Sequence, residues 1–425
     1  MTIKWVNHAS YILEHEGVRL LHDPWLRGRV FNESWAHISE SALTPEDFKD
    51  ITHIWFSHEH PDHFFPPNIT AIPAEYRSKI TVLFQKTIDG KVKAFCAKQG
   101  FKDIIELEQL SPFNISTNLA VQIGKVKNDT DSWMYLSTPE LTLLNVNDCI
   151  LEPNDIAQIK SITKRPLDLL LTQFSYANWS GNSPQEREQS AKSKLASACS
   201  YIKEFNPAFT IPFASFVWFC HEDNFHMNDK ASGIRETTGY FQAQTPTHVV
   251  VMYPGQQWNV GDKTFNNLTA IEAYEKDTAA IMAAPKLTPR KVVTQEALLA
   301  SAQKFTDNSL RLNDRKKLLS YRPFTAYIKD WNKAFRFSYQ KMELIDVEET
   351  HCDVSLSAHA LQYCFDFLWG FDTLFISGIF DKPAKGHYHN MEEYAWIAKL
   401  NSSGKSMPGL TGRVINRLKS LAGIK

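Results

Sequence analysis

The amino-acid sequence predicts an α/β protein in which two β-sheets are sandwiched between helices, an αββα arrangement, followed by a smaller C-terminal α+β region. Three observations predict it. A hairpin pattern opens the chain, apolar runs of strand length alternate with helical patterns to about residue 275, and the composition changes around residues 276–300. These divide the 425 residues into a larger domain over 1–275, an α+β region over 276–400, and a linker with a basic tail over 401–425.

Trp5-Val6 and Tyr11-Ile12-Leu13 precede the turn residues Glu16-Gly17, and Val18 to Leu21 follow, which is a hairpin pattern. The run Ile51-Thr52-His53-Ile54-Trp55-Phe56 has the length and apolarity of a buried strand. Further strands are expected at 80–84, 119–123, 133–136, 141–146, 169–172, 209–212 and 248–252. Residues 184–205 carry a helical pattern, with Ser183 placed to cap it and Pro184 at its first position. Residues 278–289, with Ala, Lys and Pro, read as the connection into the second region. There 352–357 alternates like a strand, and 358–369 is apolar like a helix. In the tail, Asn401-Ser402-Ser403-Gly404 reads as a linker. Leu410, Val414, Leu418 and Leu421 then recur at helical spacing among Arg413, Arg417 and Lys419. That is a basic amphipathic helix, suited either to weak contact with an anionic membrane surface or to docking on its own domain.

A formal net charge of -1 speaks against a nucleic-acid partner, which needs a concentrated basic surface. Met1 to Trp5 is strand-like without a signal-peptide core, and no apolar run approaches the length of a membrane span. The six cysteines (Cys96, Cys149, Cys199, Cys220, Cys352, Cys364) are scattered, with no C-x-x-C pair, as in a reduced, cytoplasmic protein.

The chemistry concentrates in Ser57-His58-Glu59-His60-Pro61-Asp62-His63, directly after the strand 51–56. Neutral imidazole and carboxylate oxygen are the ligand types that zinc, iron and manganese accept. One or two such ions are expected, and two need more ligands, including a carboxylate able to bridge them. Asp148, after the strand 141–146, is the candidate bridge, with a turn-forming role as the alternative. Asp129 or Asp131 offers another carboxylate, or a turn device. His221, followed by Glu222, Asp223 and His226, offers another imidazole after an apolar strand. Trp25, Trp35, Trp133, Trp179, Phe216, Trp218 and Phe219 could line a pocket, although aromatics usually serve the core.

With these residues the chain resembles the metallo-β-lactamase fold, and more specifically the non-Rieske part of the CMP-N-acetylneuraminate hydroxylase family. The resemblance rests on Val6-Asn7-His8-Ala9-Ser10 with His22-Asp23-Pro24-Trp25-Leu26, and on Phe56 through His63. It rests also on Asp129-Thr130-Asp131-Ser132 through Asp148-Cys149, on Pro212-Phe213-Ala214-Ser215-Phe216 through His221, and weakly on 368–376. It implies His58, His60, Asp62 and His63 as metal ligands, Asp148 as bridge, and Asp131 and His221 as less secure ligands. His8, Asp23 and Trp25 would support them, since an acid beside a ligating imidazole fixes its tautomer. Two departures are expected to matter. The family's Rieske domain does not precede this region, so electrons would come from a separate Rieske or ferredoxin protein. Lys127 stands where the family has a histidine, and a protonated lysine cannot ligate; it could contact a substrate anion.

Two activities follow for a small-molecule substrate. An iron-dependent hydroxylase would act on a sugar- or nucleotide-linked compound. A zinc- or manganese-dependent hydrolase would cleave an ester, amide or phosphoester, with Asp62 orienting the attacking water.

Overall fold

The computed structural model describes residues 1–126 and 131–407. Lys127, Asp129 and the amphipathic pattern over 410–421 lie outside the described residues.

Two seven-stranded sheets form the larger unit. The first runs, edge to edge, Gln257–Asn259, Thr2–Asn7, Ser10–His15, Val18–His22, His53–Phe56, Thr81–Gln85 and Asp103–Leu107. The second runs His248–Val249, Phe209–Phe213, Leu169–Gln173, Thr142–Asn147, Ser132–Ser137, Leu119–Lys125 and Phe113–Ser116. In each, an antiparallel meander continues into parallel strands.

The strands read as continuous apolar runs because both faces of the first sheet are covered. Trp5, Leu13, Leu20, Trp55 and Leu83 join one core with Leu143, Leu169 and Ile211 of the second sheet. Their strand neighbours Val6, Ile12, Leu21, Ile54 and Phe56 point the other way, as the two-residue period of a strand requires. They pack on Ile69 and Cys96 of the helices Pro66–Ala71 and Lys91–Lys98. Each such side chain contributes about 1.5–3 kcal/mol on burial. The helix Pro184–Phe205 covers the second sheet through Leu195, Ala198 and Ile202. It starts in a capping box: Ser183 Oγ accepts from the Glu186 amide (3.3 Å), and the Glu186 carboxylate accepts from the Ser183 amide (2.8 Å).

A five-stranded sheet, ordered Met342–Ile345, Lys333–Phe337, Phe324–Ile328, Val354–Leu356, Phe380–Asp381, organises the C-terminal region. Its core is a separate cluster, including Phe324, Phe337, Leu361 and Tyr394. Two expectations change here. The connection over 278–289 is helical in its first half, within Asn267–Ala283, because the Asn266 side chain caps that helix and Ala270, Ile271 and Tyr274 bury one face of it. The apolar stretch 358–369 is the helix Ala358–Asp366, and a second helix, Gly370–Ser377, then turns away. A Cβ at Gly370 would lie 2.3 Å from the Tyr363 carbonyl oxygen, so the two helices pack this closely only with glycine. All six cysteines are buried and unpaired. Among the described residues, no helix is long and apolar enough to cross a membrane.

Candidate metal centre

Three strands of the two sheets end at one edge of the sandwich and deliver the polar residues there. Val18–His22 leads into Asp23, His53–Phe56 into Ser57 to His63, and Thr142–Asn147 into Asp148. The turn His60–Phe64 is closed by its own backbone, the His63 and Phe64 amides donating to the His60 carbonyl (3.0 and 2.7 Å). The four motif side chains thereby converge rather than splay.

The distances define the site. Asp148 Oδ2 lies 3.5 Å from His58 Nε2 and 3.5 Å from His63 Nε2. Asp62 Oδ2 lies 3.2 Å from His63 Nε2 and 3.3 Å from His8 Nε2. His58 Nε2 and His60 Nδ1 face each other at 2.9 Å. Two atoms bound at about 2.1 Å to one tetrahedral ion stand roughly 3.4 Å apart, so most of these spacings are those of ligands sharing an ion. Three groups have ligand atoms within 4.8 Å of one another: His58 with His60 and Asp62, His58 with His63 and Asp148, and His8 with Asp62 and His63.

Behind the cluster a hydrogen-bonded layer sets the ring protons. Asp23, fully buried, accepts from the Ser57 amide (2.7 Å), Ser57 Oγ (2.7 Å), Asn147 Nδ2 (2.7 Å) and His63 Nδ1 (3.0 Å). With Nδ1 holding the proton, His63 turns Nε2 toward Asp62 and Asp148. Ser57 Oγ, its hydrogen given to Asp23, accepts from Asn147 Nδ2 (2.7 Å) and from His58 Nδ1 (2.9 Å), which likewise leaves His58 Nε2 as a lone pair facing the cluster. His60 differs. Its Nε2 bonds Asp372 Oδ2 (3.1 Å), from the helix Gly370–Ser377, so it presents Nδ1. Lys399 holds the other Asp372 oxygen at 3.3 Å.

The electrostatics call for a cation. Burial lowers the His58 imidazole below its ordinary pKa. At Asp62 burial favours the neutral acid, but His63 and His8 overcome it and hold the carboxyl well below the usual range. At Asp148 burial is likewise overcome, by His58 and His63. At His63 burial opposes a proton, while Asp62, Asp148 and Asp23 together raise the ring well above its ordinary value. Among the described residues, His63 Nε2, Asp62 Oδ1 and Asp148 Oδ1 are buried without a hydrogen-bond partner. Buried polar atoms are rarely left so, and a metal ion would satisfy all three. Imidazole nitrogen and carboxylate oxygen suit zinc, iron or manganese, so the residues fit a metal.

The family pattern described as a beta-lactamase superfamily domain matches residues 2–214. The chain belongs to the β-lactamase superfamily. It has that superfamily's metallo-β-lactamase fold and is a metal-dependent enzyme. Outside the superfamily domain the likeness continues into a protein of Mycolicibacterium smegmatis named for a Rieske 2Fe-2S iron-sulfur centre. The two are 23% identical over 329 residues, 67% of this chain and 62% of that protein. A metal-dependent hydrolase of Pyrobaculum aerophilum is 26% identical over 163 residues, 36% of this chain and 63% of its own length. The chain therefore spans a little under two thirds of these curated relatives. Among solved superfamily structures, the diiron β-hydroxylase CmlA of Streptomyces venezuelae superposes with a TM-score of 0.43 at 14% identity, over 61% of this chain and 54% of CmlA. A metallo hydrolase of Ignicoccus hospitalis gives 0.43 at 14%, over 60% of this chain and 97% of its own.

Of the residues expected from sequence, the fold brings His58, His60, Asp62, His63 and Asp148 together. Asp131, at the start of the second sheet's strand Ser132–Ser137, is close enough for its charge to favour a proton on His58 and His60, against the burial of both, and among the described residues its Oδ1 is buried without a partner. His221 belongs to none of the three groups. Strand Val217–Phe219 pairs with Trp35–His37, and this carries His221 to a bridge with Thr288, where Nδ1 accepts from the Asp223 amide (3.1 Å). The expected His221 ligand is thus a turn residue, and His226 is exposed. The aromatics take the commoner of the two roles weighed for them: Trp25, Trp35, Trp133, Phe216, Trp218 and Phe219 are core residues, and Trp179 packs on the second core. Not foreseen were Ser57, Asn147 and Asp372. The first two look like ordinary turn residues, and the third lies 312 positions from its partner His60.

Proposed function

We propose that this chain is an oxygenase whose binuclear iron centre is held by His58, His60, Asp62, His63 and Asp148. The observation that carries the metal assignment is Asp148 Oδ2, equally spaced at 3.5 Å from two imidazole nitrogens whose other nitrogens are already engaged. In this reading Asp148 would be the carboxylate shared between the ions, and His58, His60, Asp62 and His63 would complete the donor set. Asp131 adds a carboxylate at the rim.

When bound, iron supplies the capacity to reduce dioxygen, with net insertion of one oxygen atom into a C–H bond, the other leaving as water, for two electrons and two protons. The chain's own groups do the rest. Asp23 and Ser57 keep His63 and His58 in the ligating tautomer, and Asp372 does the same for His60. The two electrons come from an iron-sulfur protein of Rieske or ferredoxin type. Support for oxidation over hydrolysis is the length of the match to the Rieske-named protein, 67% of this chain. The hydrolase match covers 36% and supports the second reading, a zinc or manganese hydrolase.

Elemental analysis of protein purified without oxygen tests this. About two irons per chain, with dioxygen uptake on reduction, is the expected result. Zinc that supports turnover of an ester or phosphoester would overturn it in favour of hydrolysis. His58→Ala is expected to lose the metal while its far-ultraviolet circular dichroism stays unchanged.

A further inference from the structure

A cavity of about 830 Å³ opens beside the metal centre, between the two units, and His58 and His60 line it. Its walls are aromatic. Phe31, Phe65 and Phe95 come from the larger unit, Tyr363 and Trp369 from the smaller. The Phe31 ring stands edge-on to His60, 5.9 Å between centroids. On the far wall stand Tyr363 and Trp369, each against the Phe367 ring at 4.6 and 5.1 Å between centroids, and Trp369 remains 49% exposed.

Phe31 is held there against the backbone's own preference. Phe31, Asn32 and Glu33 have φ of +51°, +59° and +59°, a left-handed run without glycine. Such a conformation persists only where the surroundings over-determine it, and it gathers at functional sites. The surroundings are visible. Thr288 Oγ1 donates to the Glu33 carbonyl (2.8 Å), and Asn224 Nδ2 (3.1 Å) and the Cys220 amide (2.8 Å) donate to that of Ser34.

The cations of the cavity are already engaged. Lys291 pairs with Glu33 at 2.8 Å, Lys399 with Asp372 at 3.3 Å and Lys91 with Asp89 at 2.9 Å, while Arg29 donates to Thr288 and to the Lys286 carbonyl. A nucleotide phosphate would have to break such pairs to be held by them. We infer that the cavity takes the apolar body of the substrate, an acyl chain or aryl group, clamped between Phe31 and Trp369 with its reactive end toward His58 and His60. This rests on the metal-enzyme reading above and replaces the nucleotide-sugar expectation.

Calorimetric titration of the metal-loaded protein with butanoate, hexanoate, octanoate and decanoate, and with cytidine monophosphate, tests it. Affinity should rise about fourfold per methylene, as burial of that group requires, with no binding of the nucleotide. Trp369→Ala, at a half-exposed position that does not support the core, should flatten the rise at least twofold per methylene, and Phe31→Ala should do likewise; the metal count should stay at the wild-type value. A flat series with nucleotide binding would overturn the inference. So would a slope unaffected by both substitutions, or one seen only after removal of residues 408–425, which would make the chain's own end the occupant. A steep slope in protein that retains no metal would support the cavity and sink only the metal reading.

Discussion

Ser57 fixes the tautomer of His58 with a single hydrogen. Its hydroxyl gives that hydrogen to Asp23, so it must accept from His58 Nδ1 and Asn147 Nδ2, and both imidazoles of the His58–His63 pair turn bare nitrogens inward. Asp23→Asn places an amide among donors and removes the acceptor of the His63 proton. Metal affinity should fall by about 10–100-fold, read by chelator competition. Folding stability should also fall, by about 1–3 kcal/mol in urea denaturation. Ser57→Ala should act in the same direction through His58. The sequence made the ligands legible, because H-x-H-x-D-H is an unusual density of ligand types. It left Ser57 and Asn147 illegible, because their value lies in one hydrogen bond across 90 positions.

At the scale of elements, the hairpin between Val30 and Trp35 shows what the His221 turn is for. Asn224 is fully buried; its Oδ1 accepts from the His221 amide (2.9 Å), and its Nδ2 donates to the carbonyls of Ser34 (3.1 Å) and Ser377 (2.7 Å). One side chain thus joins hairpin, turn and second unit. Asn224→Ala leaves the His221 amide and the Ser377 carbonyl unmet, the Ser34 carbonyl keeping its bond from the Cys220 amide, and should cost about 3 kcal/mol, measured by urea denaturation. Nearby, Arg187 grips Asp229 through Nε (2.7 Å) and Nη2 (2.6 Å) and holds the turn Phe225–Lys230 against the long helix. Hydrogen bonding to Arg187 keeps the Asp229 carboxyl below its ordinary value of 3.8. Its contribution is therefore complete above that value and disappears as the pH falls through the depressed one. Arg187→Met should cost about 2 kcal/mol at pH 7, Asp229 being partly exposed. The gap to wild type should narrow on acidification below 3.8.

The largest apolar core reaches Tyr274 and the core of the C-terminal region begins at Val293, and we propose that the chain divides between them. They meet at the metal centre. Asp372 reaches His60 from the C-terminal region, steadied by Lys399, and under the proposed function this region would wall the site and hold one ligand. Asp372→Asn should weaken metal binding by about tenfold or more and shift the ligand-field spectrum of the cobalt-substituted protein, whereas Asp372→Glu should restore part of both. A purely structural role would leave the spectrum unchanged.

By itself the sequence determined the sandwich, the edge that carries the chemistry and five of the converging side chains. These are written in local patterns: the two-residue period of strands, the capped helix at Ser183, and ligand types packed into seven positions. Only the tertiary structure decided which ring nitrogen each histidine presents, that His221 serves a turn, and that the cavity is aromatic and shared between units. Those outcomes depend on Asp23, Asn224, Trp369 and Asp372 meeting residues far away in the chain. No local period or motif encodes such a meeting; it exists only once the sheets and the second unit have packed.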